Sequence, residues 1–338
     1  MSPSRSRVTM ADVAELAGVT STTVSRVLNN KGEISAETRQ KVLDAVAKLG
    51  YRRSRIAQSL ATDRTCLLGL IVPSVSSEFF SEIARGAEDA AWENDYKILL
   101  CNTEGDWDRE EGMFLFLQDL QVDGIVDCSP RLPEDRLLPL VQQSQNVVVV
   151  NGQGISWHGL AGVIETNDAE GMAQMAAHLV ESGRRQLVYL GGPPNARTNF
   201  ERYRGFRNAL DAHGLAPVFS EYFECRPANL SGGRDAFKHI IAQYPQIDGV
   251  LCWNDEIAVG AIQVCAELGI RVPEDVAIVG CDDHILASVI KPGLTTLHTP
   301  KQTIGALAVK MLLERINGKR DYGVVTINQA LIVRGSAP

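Results

Sequence analysis

The sequence is poor in residues arranged for chemistry of its own. Its seven cysteines, at 66, 101, 128, 225, 252, 265 and 281, are odd in number, show no CxxC spacing and mostly sit in or beside apolar runs. They read as reduced core thiols of a cytosolic protein rather than as a disulfide framework. The six histidines show no HExxH spacing and no pairing with Cys or Glu at metal-ligand intervals, so no zinc site and no cofactor are expected. No GxSxG elbow, Walker loop or GxGxxG after a strand occurs, and Asn151-Gly152-Gln153-Gly154 is too short to count as one. An enzyme would therefore lack a recognisable nucleophile or acid–base pair. Nor does any apolar segment approach the ~20 residues of a membrane span. The N-terminus is polar and basic rather than a secretory leader, which gives a cytoplasmic expectation with no membrane partner.

What is present begins at Val8. Thr9 with Asp12 three residues on forms a capping signature, and Val8 and Val13 flank it as a hydrophobic staple, so a helix starts near Met10. Val13, Ala14 and Ala17 recur at helical spacing, and Gly18 can end the helix in a left-handed conformation. A second helix follows at once, capped by Thr20, with Val24, Val27 and Leu28 inward. It leaves Ser21, Thr22, Ser25, Arg26 and Asn29 outward. Short hydroxyl side chains permit close approach to base edges, and Arg26 can contact phosphate or guanine. With Thr9 at the head of the first helix, these are the candidate DNA contacts. Ser, Thr and Asn are also common on any solvated helix, so the pair alone leaves both readings open.

A third helix, capped by Ser35, carries an apolar stripe of Val42, Leu43, Val46 and Leu49 that can close a three-helix core. The charge is divided as well. Residues 1–65 hold eleven Lys and Arg against six Asp and Glu, whereas the remainder holds 22 against 35, so the net −8 hides a basic module on an acidic body. That division suits phosphate binding confined to one end.

The run TMADVAELAGVTSTTVSRVLN, the ISAETRQKVLDAVAKLGY helix and the following RIAQSLA resemble the LacI/GalR family of transcriptional regulators. The resemblance implies a helix-turn-helix domain over 1–52, a hinge helix or linker over 53–65, and an effector-binding and dimerisation core over 66–338. Within the hinge it implies that Leu60 wedges into the minor groove, where an apolar side chain unstacks a base step. Arg55 adds phosphate-seeking charge. The chain departs from the family's Pro-Asn pair after the Tyr, carrying Arg53-Ser54 instead.

In the remainder, short apolar runs alternate with helical patterns. Strands are expected at Leu67–Val72, Ile98–Cys101, Gly124–Asp127, Val147–Val150, Gly162–Ile164, Leu187–Leu190, Gly249–Cys252 and Val276–Val279. Helical patterns at Phe80–Glu93, Arg109–Leu120 and Ala169–Glu181 separate them. The alternation predicts an α/β core of parallel sheets, and the strand count favours two similar lobes over one. These are expected at about 66–165 plus 298–328 and about 166–297 plus 329–338, with three crossings. Helix Phe80–Glu93 offers itself as an interface element or as core.

Ligands of open α/β sheets sit beyond the carboxyl ends of strands. The residues there, among them Ser74–Phe80, Asn102, Ser129, Asn151, Asn254-Asp255 and Asp282-Asp283, suit a polyhydroxylated molecule. The resemblance makes this specific. ERYRGF resembles an RxxGF signature whose first Arg, here Arg202, enters the effector pocket. WNDEIAVG places Asn254 there, VGCDDH places Asp282, and Phe80 and Asn151 match lining positions. Thr198 lies one helical turn before Arg202, and Trp253 stands where small residues are usual, to stack on ligand or to fill space. Thr166 replaces a common Asp beside Asn167. The implied effector is a sugar or sugar derivative, with a nucleoside or purine second, because Ala196 stands where purine-binding relatives carry an Arg. One recognition helix reads few base pairs, so a homodimer on a near-palindromic operator is expected. Nothing after Arg334 resembles a tetramerising heptad helix. The competing expectation is a solute-binding protein of the same core fold.

Overall fold

A computed structural model describes residues 8–28, 32–51, 64–152, 159–219, 221–319 and 323–338. The chain forms two compact units, Met1–Thr65 and Cys66–Pro338.

In the first unit the caps do what their chemistry dictates. The Thr9 backbone N–H donates to Asp12 Oδ2 at 2.7 Å while the Asp12 N–H donates back to Thr9 Oγ1 at 3.4 Å, closing a capping box on helix α1, Met10–Ala17. Gly18, at φ 66°, ends it. Thr20 Oγ1 accepts the Thr23 N–H ahead of α2, Ser21–Leu28, and Ser35 caps α3, Ala36–Leu49. Val13, Ala14, Val24, Val27, Val42 and Ala45 form the core. One expectation is corrected: Leu43 faces solvent. The stripe on α3 turns through Val42, Ala45 and Val46, and Leu43 falls one position off that face.

The second unit contains two three-layer sandwiches. Strands β1 (Leu67–Val72), β2 (Lys97–Asn102), β3 (Gly124–Cys128), β4 (Val147–Val150), β5 (Gly162–Thr166) and β11 (Val324–Ile327) form a six-stranded parallel sheet in the order β11-β5-β4-β3-β1-β2. Helices α4 (Glu78–Glu93) and α12 (Lys301–Ile316) cover one face, and α5 (Trp107–Asp119) and α6 (Glu134–Gln143) the other. Strands β6 (Leu187–Gly191), β7 (Phe223–Glu224), β8 (Gly249–Cys252) and β9 (Ala277–Val279) form a four-stranded parallel sheet in the order β7-β6-β8-β9. It lies between α9 (Leu230–Gln243) and α10 (Asp255–Leu268) on one side and α7 (Asp168–Glu181) and α8 (Arg197–Ala212) on the other. Covered on both faces, inner strands such as Val147–Val150 are buried at every residue, which explains their unbroken apolar spelling.

The chain leaves the six-stranded sheet after Thr166, returns through α12 and β11, and leaves again at β12 (Ala330–Ile332), which pairs antiparallel with β10 (Thr296–His298). The sequence reading missed β7, β10, β11 and β12, all short pieces at sheet margins. It also placed several ends one or two residues inside those observed. The apolar residues Phe80, Ile83, Ala87 and Ala91 of α4 are core, packed toward α12. There the helices meet backbone to backbone: a Cβ on Gly86 would lie 2.0 Å from the Gln302 carbonyl oxygen, and one on Gly305 2.0 Å from that of Ile83. In the other lobe Gly205 of α8 meets the Ala169 carbonyl in the same way. The Gly of the RGF triplet is thus a packing requirement.

Candidate functional site

On the helix-turn-helix unit, Ser21, Thr22 and Arg26 are exposed on one side of α2 and Ser25 is half-buried, opposite the buried Val24 and Val27. Thr9 is exposed, but its hydroxyl is already engaged with Asp12. Asn29, Arg55 and Leu60, with the hinge segment up to residue 63, lie outside the described residues.

In the core, a cleft of about 430 Å³ opens between the lobes at the carboxyl ends of both sheets. All seven residues singled out in the sequence, Phe80, Asn151, Thr198, Arg202, Trp253, Asn254 and Asp282, line it. Strand ends place them there for the reason anticipated. Each side chain follows an apolar run or opens the next helix, and each parallel sheet directs its carboxyl ends to the same edge.

Arg202 is the hub, with its side chain 4% exposed. Its Nε donates to Asp168 Oδ1 at 2.8 Å, its Nη2 to Asp282 Oδ1 at 3.0 Å, and its Nη1 to the Trp253 carbonyl. Asp168 is fully buried and its second oxygen accepts from the Thr166 hydroxyl. Thr166 also donates its backbone N–H to Asn151 Oδ1 at 2.8 Å. The substitution of Thr for the common Asp therefore leaves the crossover bonded: a continuous polar chain runs Asn151–Thr166–Asp168–Arg202–Asp282 from one lobe's sheet to the other's. Asn151 and Asp282, just beyond β4 and β9, hold positive φ values of 54° and 105°, a conformation that costs a non-glycine residue energy.

The remaining predicted residues divide by how far they are already committed. Asn254 caps α10, its Oδ1 accepting the Ile257 N–H at 2.9 Å while its amide reaches the Ala228 carbonyl. The Trp253 ring packs against Gly192, where a Cβ would come within 2.2 Å of it, and against the cores of both faces of the second lobe. It fills space and lines the cleft at once, and its indole N–H is buried without a partner among the described residues. Phe80 meets Phe79 edge to face, ring centroids 5.2 Å apart, and both line the cavity.

Sequence reasoning missed Glu104, Arg131 and Glu256, which also line the cleft, and the buried Asp168. Arg131 stands three residues past β3 and Glu104 two past β2, so the strand-end rule that found Ser129 and Asn102 could have been carried further. It also missed Lys301, whose ammonium donates to the carbonyls of Asp282 at 2.8 Å and Asp283 at 3.1 Å and lies 3.3 Å from Glu78 Oε2 at the head of α4. Burial drives the carboxyl of Glu256 upward in pKa, with Asp282 and Glu78 adding to the rise against the opposing influence of His284. Among the described residues no group of His, Cys, Asp and Glu is placed to hold a metal ion, and no helix is long and apolar enough to cross a membrane.

Two parallel-sheet lobes closing on a polar cleft, preceded by a helix-turn-helix unit, define a class of DNA-binding regulator built on a ligand-binding core. Residues 9–54 match the profile of bacterial regulatory proteins, lacI family, and residues 176–337 that of the periplasmic binding protein-like domain. Similar full-length relatives include the HTH-type transcriptional regulator RegA of Clostridium saccharobutylicum, 32% identical over 96% of this chain and 98% of its own. The HTH-type transcriptional repressor PurR of Edwardsiella ictaluri is 32% identical over 97% and 96%. Among solved structures, the Lac repressor dimer bound to operator and the anti-inducer ONPF superposes with a TM-score of 0.91 at 25% identity, covering 98% of this chain and 99% of that one. The chain belongs to the LacI family of DNA-binding transcriptional regulators, whose members here are regulators and not enzymes.

Proposed function

We propose that this regulator acts in the cytoplasm as a repressor, binding a near-palindromic operator as a homodimer, and that a small molecule held between the core lobes sets its operator affinity. The sugar class fits the cleft best. Asn151, Thr198, Arg202, Asp282 and Glu256 offer carboxylates, amides and N–H groups to hydroxyls, and Phe79 and Phe80 supply an apolar face. A volume of about 430 Å³ falls within the range of small-molecule pockets. A nucleoside or purine is the second class, favoured by the ring of Trp253 in the cleft wall.

The observation that carries the reading is the polar chain from Asn151 to Asp282. A ligand replacing or adding to its bonds favours one lobe arrangement by its differential affinity, and the same factor acts on operator binding. Ser21, Thr22, Ser25, Arg26 and Asn29 read bases or phosphates with Thr9 beside them. Arg55 holds the backbone and Leu60 opens the minor groove. The competing solute-binding role gives no use to residues 9–54. Thermal stability of the full chain against a panel of sugars and nucleosides tests the ligand arm, since a specific ligand stabilises the native state by mass action. Footprinting tests the other: a chain that protects no sequence over background overturns the regulator mechanism. Leu60→Ala is expected to weaken operator binding far more than nonspecific binding, and an unchanged ratio removes the wedge.

A further inference from the structure

The cleft contains two arginines in opposite circumstances. Arg202 has its N–H groups directed at Asp168, Asp282 and the Trp253 carbonyl. Arg131, on the wall formed by the six-stranded sheet, lines the same cavity and is only 5% exposed, yet its guanidinium donates no hydrogen bond to any described residue. Its Nη1 is fully buried without an acceptor among the described residues. A guanidinium has five donors in a planar fork, and leaving them dry and unpaired costs far more than leaving a hydroxyl so.

Among the described residues no acceptor behind Arg131 bonds its guanidinium, although the carboxyls of Glu110 and Asp127 lie near enough to favour its charge. Glu110 has its carboxylate occupied by backbone, accepting the Arg131 N–H at 2.9 Å on one oxygen and the Leu132 N–H at 3.3 Å on the other. Asp127 of β3 is 1% exposed, and neither of its oxygens has a hydrogen-bond donor. Burial raises its pKa well above that of an ordinary aspartate, with Glu110 adding to the rise and Arg131 opposing it, which weakens it as a standing counter-charge. The opposite wall carries Asp282 and Glu256 beside Arg202, while Glu104 lines the cleft on the Arg131 side, where its carboxylate accepts from the Asn102 amide. The cleft thus offers unfilled donors at Arg131 and acceptors for hydroxyls at Asp282 and Glu256.

We propose that Arg131 is a ligand-binding residue whose free N–H groups take a carboxylate, so that the effector is a sugar acid, its acid end toward Arg131 and its hydroxyls toward Arg202, Asp282 and Glu256. The assignment rests on the reading of the cleft as the effector site and narrows its ligand class. Arg202 is already paired with Asp168 and Asp282, so the single charge of Arg131 matches a monoanion better than a phosphate dianion. The carboxylate is bidentate and planar as the fork is, which gives the pair direction as well as charge.

The test uses the full chain, with thermal shift and calorimetric binding against gluconate, glucuronate and galacturonate, their neutral parents glucose and galactose, glucose 6-phosphate, and the nucleobases adenine, guanine and hypoxanthine. One of the three acids should bind and its neutral parent should not. Arg131→Gln should weaken binding of that acid on the order of 10- to 100-fold, as loss of a charge-assisted pair does. Arg131→Lys, which keeps the charge and loses the fork, should fall between and covers the case in which the Gln variant does not fold. Tighter binding of glucose, galactose, a nucleobase or the sugar phosphate than of any acid overturns the assignment, and so does equal affinity of wild type and both Arg131 variants for the acid. If no probe shifts the melting temperature of the wild-type chain, the reading of the cleft as an effector site is what fails, and this assignment falls with it.

Discussion

Arg202 is held as firmly as it could hold anything else. Removing it as Arg202→Ala would leave the buried Asp168 without its cation and should cost on the order of 3–5 kcal/mol of stability, read from denaturant unfolding. Asp282→Asn is the more informative change, because Asp282 is partly exposed and an amide oxygen can still accept from Arg202. It should alter effector response while shifting stability by less than about 1 kcal/mol. Asp127 gives a prediction in pH. Its folded-state pKa is raised by burial above the ordinary 3.8, so the native chain keeps that proton where the unfolded chain loses it. An acid raised on folding takes stability away as pH climbs from about 4 toward the folded value. Asp127→Asn should therefore leave stability at pH 4 nearly unaltered and raise it by roughly 1–3 kcal/mol at pH 8, and parallel pH profiles for the two proteins would show the carboxyl to be solvated. Thiol reactivity is the third residue-scale outcome. Six cysteines are buried, with Cys225 and Cys265 pushed up to about 12 by desolvation, so alkylation of the native chain should mark Cys66 alone. Among these side chains, Arg202 and Asp282 were legible because short motifs carry them. Asp127 with Arg131 was not: the partners at 110, 127 and 131 meet only through the packing of α5 on the sheet, and an Asp in an apolar run looks like a strand end.

The helices lie as close as glycine permits. With carbonyl oxygens 2.0 Å from the sites of the missing Cβ atoms, Gly86→Ala or Gly305→Ala must push α4 and α12 apart, and each should cost about 1–3 kcal/mol in thermal or denaturant unfolding. Gly112 on α5 has nothing within 4 Å, so Gly112→Ala serves as the control and should stabilise slightly. At this scale the sequence was most readable where strands are buried on both faces and helices open on caps. Thr9, Ser35 and Asn254 each cap a helix that begins at the next residue. It was least readable at sheet margins. Strand β11 is half exposed along its length and β7 has two residues, so neither carries the unbroken apolar run that announces a strand.

Across the whole molecule, the fold class was legible because two signals agree: a basic three-helix segment with its own core, and an acidic remainder that alternates strand and helix. The cleft was legible as well, since parallel sheets collect their carboxyl ends at one edge. How the two lobes are tied together was legible only in part, because beside the Arg202 chain a second tie runs through Lys301, which in sequence is one lysine at the start of an ordinary helix. The proposed switch makes a quantitative demand at this scale: the factor by which a bound effector changes operator affinity must equal the factor by which operator changes effector affinity. Paired titrations of the full chain measure both, and factors of one in both directions would mean that cleft and operator are not coupled.

Lys301 has a mechanical consequence. The residue whose carboxylate meets the cleft, Asp282, is the residue whose carbonyl Lys301 grips, and the same ammonium lies against Glu78 at the head of α4. A pull on that acid thus passes through the backbone of Asp282 itself to a cross-lobe tether only a few bonds long. Cutting the tether with Lys301→Met should separate sensing from reply, with ligand still bound within a fewfold of wild type but its effect on operator affinity sharply reduced. Read by calorimetry and gel shift on one preparation, an undiminished response would place the transmission elsewhere.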